Sequence, residues 1–148
     1  MNYREAEIKD ILQIQFVRNE VKENMLSDPA LVPDTDVADY ITNRGRGWVC
    51  EIENKIVGFS IVDLVDNNVW ALFVHPGFEA MGIGKKLHEI MMDWYFEKTD
   101  QTIWLSTDGN SRAWKFYQLQ GWRETGLYNK TEKKFEMSFE DWIGANKK

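Results

Sequence analysis

The sequence predicts a single α/β domain of the α+β kind, a mixed sheet of about six to seven strands flanked on both faces by four helices. Three observations lead there. The hydrophobic period switches between that of helices and that of strands in the order strand, two helices, three strands, helix, strand, helix, two strands. A chain of 148 residues, 43% hydrophobic and 14% aromatic, buries enough surface for one core without disulfides or metals. No Pro/Gly/Ser-rich or single-sign stretch long enough to link two domains interrupts residues 1–148, and no internal repeat is visible.

Residues 2–6 read as a short strand. The following helix carries Ile8, Ile11, Leu12, Gln15 and Phe16 near one face and ends before Asp28-Pro29. Asp34 or Thr35 caps a second short helix with Val37, Ala38 and Ile41, which stops at Asn43 and Gly45. Residues 48–52 and 56–62 are β-rich runs on either side of Glu53-Asn54-Lys55, the pattern of a hairpin. Residues 69–74 are continuously apolar, as in a strand buried on both faces, and His75-Pro76-Gly77 ends the run. From Gly82 onward, Ile83, Leu87, Ile90, Met91 and Trp94 stack on one side of a long helix. Residues 102–106 form a further strand, residues 111–120 an amphipathic helix built on Ala113, Phe116 and Leu119, and Gly121 its C-terminal cap. Strands at 122–128 and 133–139 close the pattern.

The net charge of -6 leaves no basic stripe to neutralise phosphates, which argues against a nucleic-acid partner and suits a cationic substrate. One cysteine, Cys50, forms no internal disulfide, and no Cys/His cluster has metal-ligand spacing, so no metal is expected. Met1 leads directly into Asn2, Tyr3, Arg4 and Glu5 without the apolar run of a signal peptide, and no membrane-length apolar stretch occurs. The expectation is a soluble cytoplasmic protein, monomer or homodimer, that does not engage membranes.

Val74-His75-Pro76-Gly77-Phe78-Glu79-Ala80-Met81-Gly82-Ile83-Gly84-Lys85 carries the most information, because there a buried strand turns tightly into a helix. The first amides of a helix lack intrahelical partners and sit at the positive end of its dipole, and glycines let a phosphate approach the backbone. A pyrophosphate fits over Gly82 and Gly84. Gly77 and Gly82 have P-loop spacing, but Ile83-Gly84 stands where Lys-Ser/Thr must follow, which disfavours nucleotide hydrolysis. A dinucleotide fingerprint needs a third glycine where Leu87 stands, and the preceding hairpin does not belong to a doubly wound unit.

What remains, Glu79-Ala80-Met81-Gly82-Ile83-Gly84, resembles the acetyl-CoA loop of the GNAT N-acetyltransferases, Gln/Arg-x-x-Gly-x-Gly/Ala after a strand, with Glu79 replacing the usual donor. Further on, Asn110-Ser111-Arg112-Ala113-Trp114-Lys115-Phe116-Tyr117 followed by Gly121-Trp122 resembles the second signature of that family, Asn-x-x-Ala-x-x-Phe-Tyr and Gly-Phe/Trp. The resemblance covers roughly residues 48–126. It implies a GNAT fold with a mostly antiparallel sheet and transfer of an acetyl group from acetyl-CoA to an amine. It also implies cofactor contacts from Glu79, Met81, Gly82, Ile83, Gly84 and Lys85, backbone contacts from Leu72, Phe73 and Val74, and a pantetheine contact from Asn110. An asparagine at that place is equally a helix N-cap.

Tyr117 is the expected catalytic residue, a phenol that supplies a proton to the departing thiolate, with Phe116 turned into the core and Tyr117 towards the cleft. The base that deprotonates the amine is left open among Asp108, Glu23, Glu51 and water, while His75 before Pro76 reads as structural or cofactor-side. Residues 23–32 and the turn between the last two strands are the expected acceptor lining. Three functions fit: a direct-attack amine acetyltransferase, a non-catalytic acyl-CoA-binding module on the same fold, and an interaction domain that uses its seven tryptophans for packing or a dimer face.

Overall fold

The hairpin at Glu53 and Asn54 seeds the sheet. Both residues take positive φ, 52° and 66°, the backbone that a two-residue turn needs to match the twist of its strands. The turn joins β2 (Gly45–Ile52) to β3 (Lys55–Asp63), and β4 (Asn68–Val74) adds antiparallel to β3. The computed structural model describes residues 1–21 and 32–146. Its remaining elements are β1 (Asn2–Glu5), α1 (Ile11–Glu20), α2 (Asp34–Asp39), α3 (Ile83–Lys98), β5 (Ile103–Asp108), α4 (Arg112–Leu119), β6 (Arg123–Leu127), β7 (Glu132–Met137) and α5 (Phe139–Asn146). One seven-stranded sheet results, ordered β1-β2-β3-β4-β5-β7-β6, antiparallel throughout except where β5 runs parallel to β4.

Each face of the sheet has its own core. On one, Ile83, Leu87, Met91, Met92 and Tyr95 of α3 meet Ile103, Leu105, Phe135 and Met137 from β5 and β7. On the other, Ile11, Ile14 and Val17 of α1 and Val37 of α2 cover Val49, Phe59, Ile61 and Ala71. Arg4 ties β1 to the start of α1, donating to both carboxylate oxygens of Asp10 at 2.8 Å and also to Glu51. The guanidinium holds the Asp10 carboxyl below its ordinary range.

Several elements differ from the sequence reading. In α1 the buried stripe is Ile11, Ile14, Val17 and Arg18, whereas Ile8, Leu12 and Phe16 are exposed. A 3₁₀ turn at Ile8–Asp10 precedes the helix and rotates it, so the second of its two apolar rows faces the sheet. Pro33, not Asp34 or Thr35, caps α2, which places Asp34 and Asp36 in its first turn; the chain then continues through a π turn at Tyr40–Arg44. Leu119 of α4 is exposed. A fifth helix, α5, follows the last strand; its signal was Ser138, whose Oγ accepts the Asp141 N–H at 3.0 Å. Among the described residues no helix is long and apolar enough to cross a membrane.

α5 completes a buried aromatic cage around His88, whose ring lies within 5.5 to 6.1 Å of those of Phe116, Tyr117, Trp122 and Trp142. Trp122 Nε1 donates to His88 Nε2 at 2.9 Å, and because an indole only donates, His88 carries its proton on Nδ1. Burial pushes the imidazole down to about 3. Below the ordinary histidine value of 6.5 the unfolded chain takes up a proton that the folded chain refuses, so stability is full above that pH and falls beneath it. Thermal unfolding should therefore show stability falling on the order of 1 kcal/mol per pH unit between pH 6 and 4. His88→Gln, which keeps an acceptor for Trp122, should remove most of that slope; an unchanged slope would assign it to the carboxylates.

Candidate active site

The sheet opens where its one parallel contact lies. β4 and β5 are paired only at Asn68 and Trp104, where Trp104 N–H donates to the Asn67 carbonyl at 3.0 Å and Asn68 Nδ2 to the Trp104 carbonyl at 3.2 Å. Past that point the strands part, leaving the β5-facing backbone edge of residues 71–74 without a strand partner. A bulge adds to the effect: Ile61 pairs with Ala71 and Val62 with Val69, so Trp70 is the extra residue in β4.

The gap is a cleft of about 410 Å³. Leu72, Phe73 and Val74 of β4 form one wall, Ala113, Phe116 and Tyr117 of α4 the opposite one, and Glu79, Gly84 and Arg112 its mouth. The reading of residues 69–74 as a strand buried on both faces holds for Val69 and Ala71 but not for Leu72, Phe73 and Val74. Those three are half-buried because the neighbouring strand has left them, and they line the cleft while still packing against the core, Leu72 and Val74 on one face of the sheet and Phe73 on the other.

At the mouth, the turn expected to bind phosphate leads into α3. Gly82 caps the helix at φ 79°, a left-handed backbone that favours glycine, and Ala80 before it also has positive φ, 64°. A Cβ added to Gly82 would meet nothing within 4 Å, so the space above the turn is open. A Cβ on Gly84 would lie 3.6 Å from Val74 and 3.8 Å from Phe116, where β4, α3 and α4 converge. Met81 and Lys85 are exposed; the Ile83 side chain is core, leaving its amide with those of Gly84 and Lys85 as the unpartnered donors of the first turn. Glu79 is an ion-pair partner of Arg112, so its carboxylate does not stand at the turn uncompensated.

α4 delivers Tyr117 through its two ends. At the start, Ser111 Oγ accepts the Trp114 N–H at 3.0 Å, so Ser111 is the N-cap in place of Asn110. Asn110 is exposed, with φ 65°, and lies one residue outside the helix. At the other end, Trp122 N–H bonds the Tyr117 carbonyl and Gly121 N–H that of Gln118, each at 3.1 Å, with Gly121 at φ 96°. This left-handed cap folds Trp122 back on Tyr117, ring centroids 5.6 Å apart.

Phe116 and Tyr117 both line the cleft, and Tyr117, not Phe116, is the more buried, with 6% exposure. Among the described residues the Tyr117 hydroxyl has no hydrogen-bond partner. Burial raises the phenol above its ordinary value of 10.0 and keeps it protonated at neutral pH.

The candidate bases scatter. Glu51 is held by Arg4 at the far side of the sheet, Asp108 ends β5 outside the cleft lining, and Glu23 lies outside the described residues, as does most of the expected acceptor lining at 23–32. Among the described lining residues the carboxylate is Glu79. His75 is occupied locally, its Nδ1 accepting the Gly77 N–H at 3.2 Å and its ring stacked on Phe16. Sequence reasoning missed Arg112, Val21, Pro76 and Ala113 as lining residues. Arg112 stood inside the second motif, but its pairing with Glu79 spans 33 positions and leaves no local pattern.

Comparison with known proteins gives the family and the fold. The model of the acetyltransferase (GNAT) family matches residues 7–122, a span that includes the glycine turn and Tyr117. No curated protein sequence matches the chain. Among solved structures, the PaiA N-acetyltransferase of Thermoplasma acidophilum in complex with coenzyme A superposes with a TM-score of 0.81 at 15% identity, over 93% of this chain and 98% of that one. The ribosomal-protein-alanine N-acetyltransferase of Brucella melitensis superposes at 0.75 with 18% identity, over 93% and 99%. The ribosomal-protein-S18-alanine N-acetyltransferase of Escherichia coli reaches 0.71 at 18%, over 92% and 90%. At such identities the superpositions carry the fold, and the family model, which spans more than half of the chain, carries the membership: this protein belongs to the GNAT acetyltransferase family.

Proposed function

We propose that the protein transfers an acetyl group from acetyl-CoA to a primary amine by direct attack, with Tyr117 as the proton donor to the leaving sulfur. The observation that carries this reading is that Tyr117, a buried residue whose hydroxyl is not used in a described hydrogen bond, lines the same cleft as the β4 residues that have no strand partner on the β5 side. The family and the coenzyme A complex of a structural neighbour support the choice of cosubstrate.

The chain's own residues fit that cosubstrate. Gly82 leaves open space beside the positive end of α3, which suits a pyrophosphate; the free edge of residues 71–74 suits the amides of a pantetheine arm; the apolar walls suit a thioester. When bound, acetyl-CoA supplies the activated acetyl group. The β4 edge fixes the direction of the carbonyl, and the walls from Leu72, Phe73 and Phe116 keep water away. Tyr117 donates its hydroxyl proton towards the sulfur. A phenol raised by burial is a weaker acid, but a thiolate formed in the same apolar cleft is destabilised by the same desolvation, which brings the two affinities for the proton together. Water at the mouth of the cleft accepts the proton of the amine, since the cleft's described carboxylate, Glu79, is engaged by Arg112.

Four measurements test this. Gly82→Val fills the approach to the turn and strains its backbone, and should weaken acetyl-CoA binding at least about tenfold by isothermal titration calorimetry. Glu79→Gln removes a carboxylate from the mouth of the cleft and should tighten that binding; weaker binding would give Glu79 a role of its own. Tyr117→Phe should lower turnover roughly 10²-fold while acetyl-CoA affinity and melting temperature stay near wild type. Since Tyr117 stays protonated, turnover should rise with pH as the amine deprotonates and show no fall up to pH 10, the ordinary tyrosine value. Acetyl-CoA binding without acetylation of any amine would replace this reading with a non-catalytic acyl-CoA-binding module.

A further inference from the structure

The last buried position of α1 is a charge. Arg18 is 7% exposed, and its guanidinium lies over the rings of Trp70, Phe73 and Phe59 at 5.0, 5.2 and 5.8 Å. Ring faces attract a cation but give its in-plane N–H groups nothing to bond. Nε and Nη2 are both buried without a hydrogen-bond partner, and among the described residues no carboxylate pairs with Arg18. The other guanidiniums near the core have carboxylates: Arg4 is held by Asp10 and Glu51, and Arg44, although its Nε is also without a partner and it lies over the Tyr40 ring, is held through Nη2 by Asp63 and Asp66.

The two orphaned nitrogens share one edge of the planar group. They present two parallel N–H donors, the pattern that the two oxygens of one carboxylate satisfy together. A phosphate, with a charge nearer two, would leave surplus negative charge among three aromatic rings, whereas a carboxylate cancels the single positive charge. Burial pulls the guanidinium down to about 10, so it remains charged at neutral pH. Arg18 does not itself line the cleft, but it touches two residues that do: it packs against Phe73, and its carbonyl accepts the Val21 N–H at 3.3 Å. It lies on the α1 face of β4, opposite the face that carries Phe116 and Tyr117.

We propose that the acceptor is a small amino acid, an amine that carries its own free carboxylate, and that Arg18 binds that carboxylate through Nε and Nη2. The proposal rests on the acetyl-transfer reading and narrows it, because a peptide N-terminus offers an amide where a free amino acid offers a carboxylate. Arg18 is then a specificity residue on the acceptor side, and the absence of a described carboxylate beside it follows from its use.

The test compares the standard amino acids with their amides as acceptors, in wild type, Arg18→Met and Arg18→Lys. Melting temperature is measured in parallel on the protein saturated with CoA. For the best acceptor, the free acid should exceed its amide at least about tenfold in kcat/KM. Arg18→Met should lose that preference through KM with acetyl-CoA affinity unchanged, and Arg18→Lys, which keeps the charge but not the fork, should recover part of it. Arg18→Met should melt no lower than wild type, because it removes a buried charge without a partner. A melting point lowered by many degrees would mean that a carboxylate of the chain itself holds Arg18, and would overturn the proposal. Equal use of acid and amide, or a preference that survives Arg18→Met, would overturn it as well. Stabilisation of the CoA-bound wild type by free amino acids but not by amides, without turnover, would sustain the carboxylate site and overturn acetyl transfer; stabilisation and turnover both absent would overturn the site.

Discussion

The structure depends on a parallel contact that stops after a single residue pair. Four strands, β1 to β4, and three more, β5 to β7, form ordinary antiparallel ladders, but β4 and β5 run the same way and hold together only at Asn68 and Trp104. Hydrogen-bonding groups freed inside a protein must be met by something. Here the freed edge of residues 71–74 faces a cleft, and the elements that would otherwise close it, α3 and α4, bring a helix N-terminus and a phenol to its rim. The same parting explains why an all-apolar strand ends in three half-buried residues and why the bulge at Trp70 is tolerated.

Tyr117 illustrates how a phenol is held in place without its hydroxyl being engaged. Its backbone carbonyl is claimed by Trp122, its ring is packed by Trp122, His88 and Phe135, and its hydroxyl is left to the cleft. Each contact restrains the ring and none engages the oxygen. The cage depends in turn on a histidine kept neutral by burial, since a charged imidazole could not accept from the Trp122 indole. Positioning and proton affinity therefore come from one desolvated cluster, which ties the chemistry of the cleft to the acid stability of the fold.

Charge is distributed with similar economy. Arg4 and Arg44 spend their donors on carboxylates that tie loops to the sheet, and Arg112 compensates Glu79 at the mouth of the cleft. Arg18 is met by ring faces and, unlike Arg4 and Arg44, has no described carboxylate beside it. A desolvated cation whose forked edge has no partner costs stability, and such a cost fits a binding group better than a structural one.

Local order was legible because it is written in short-range chemistry. Period and turn residues gave the order and the hairpin; the spacing of Gly82 and Gly84 gave the tight turn into α3; the Phe-Tyr pair before Gly121-Trp122 gave a residue that lines the cleft. What only the tertiary structure decided are the relations between distant segments. Which apolar row of α1 faces the sheet depends on a single 3₁₀ turn that rotates the helix, and period alone weights both rows equally. Ser111 rather than Asn110 caps α4 because the chain enters with Asn110 in the left-handed region, which one-residue propensities do not distinguish. The Glu79–Arg112 pair and the seat of Arg18 among Phe59, Trp70 and Phe73 join residues tens of positions apart. Sequence spacing encodes which neighbours a residue has along its own helix or strand; the partners of a charge are set by where the sheet brings separate elements together, and that geometry exists only once the chain has folded.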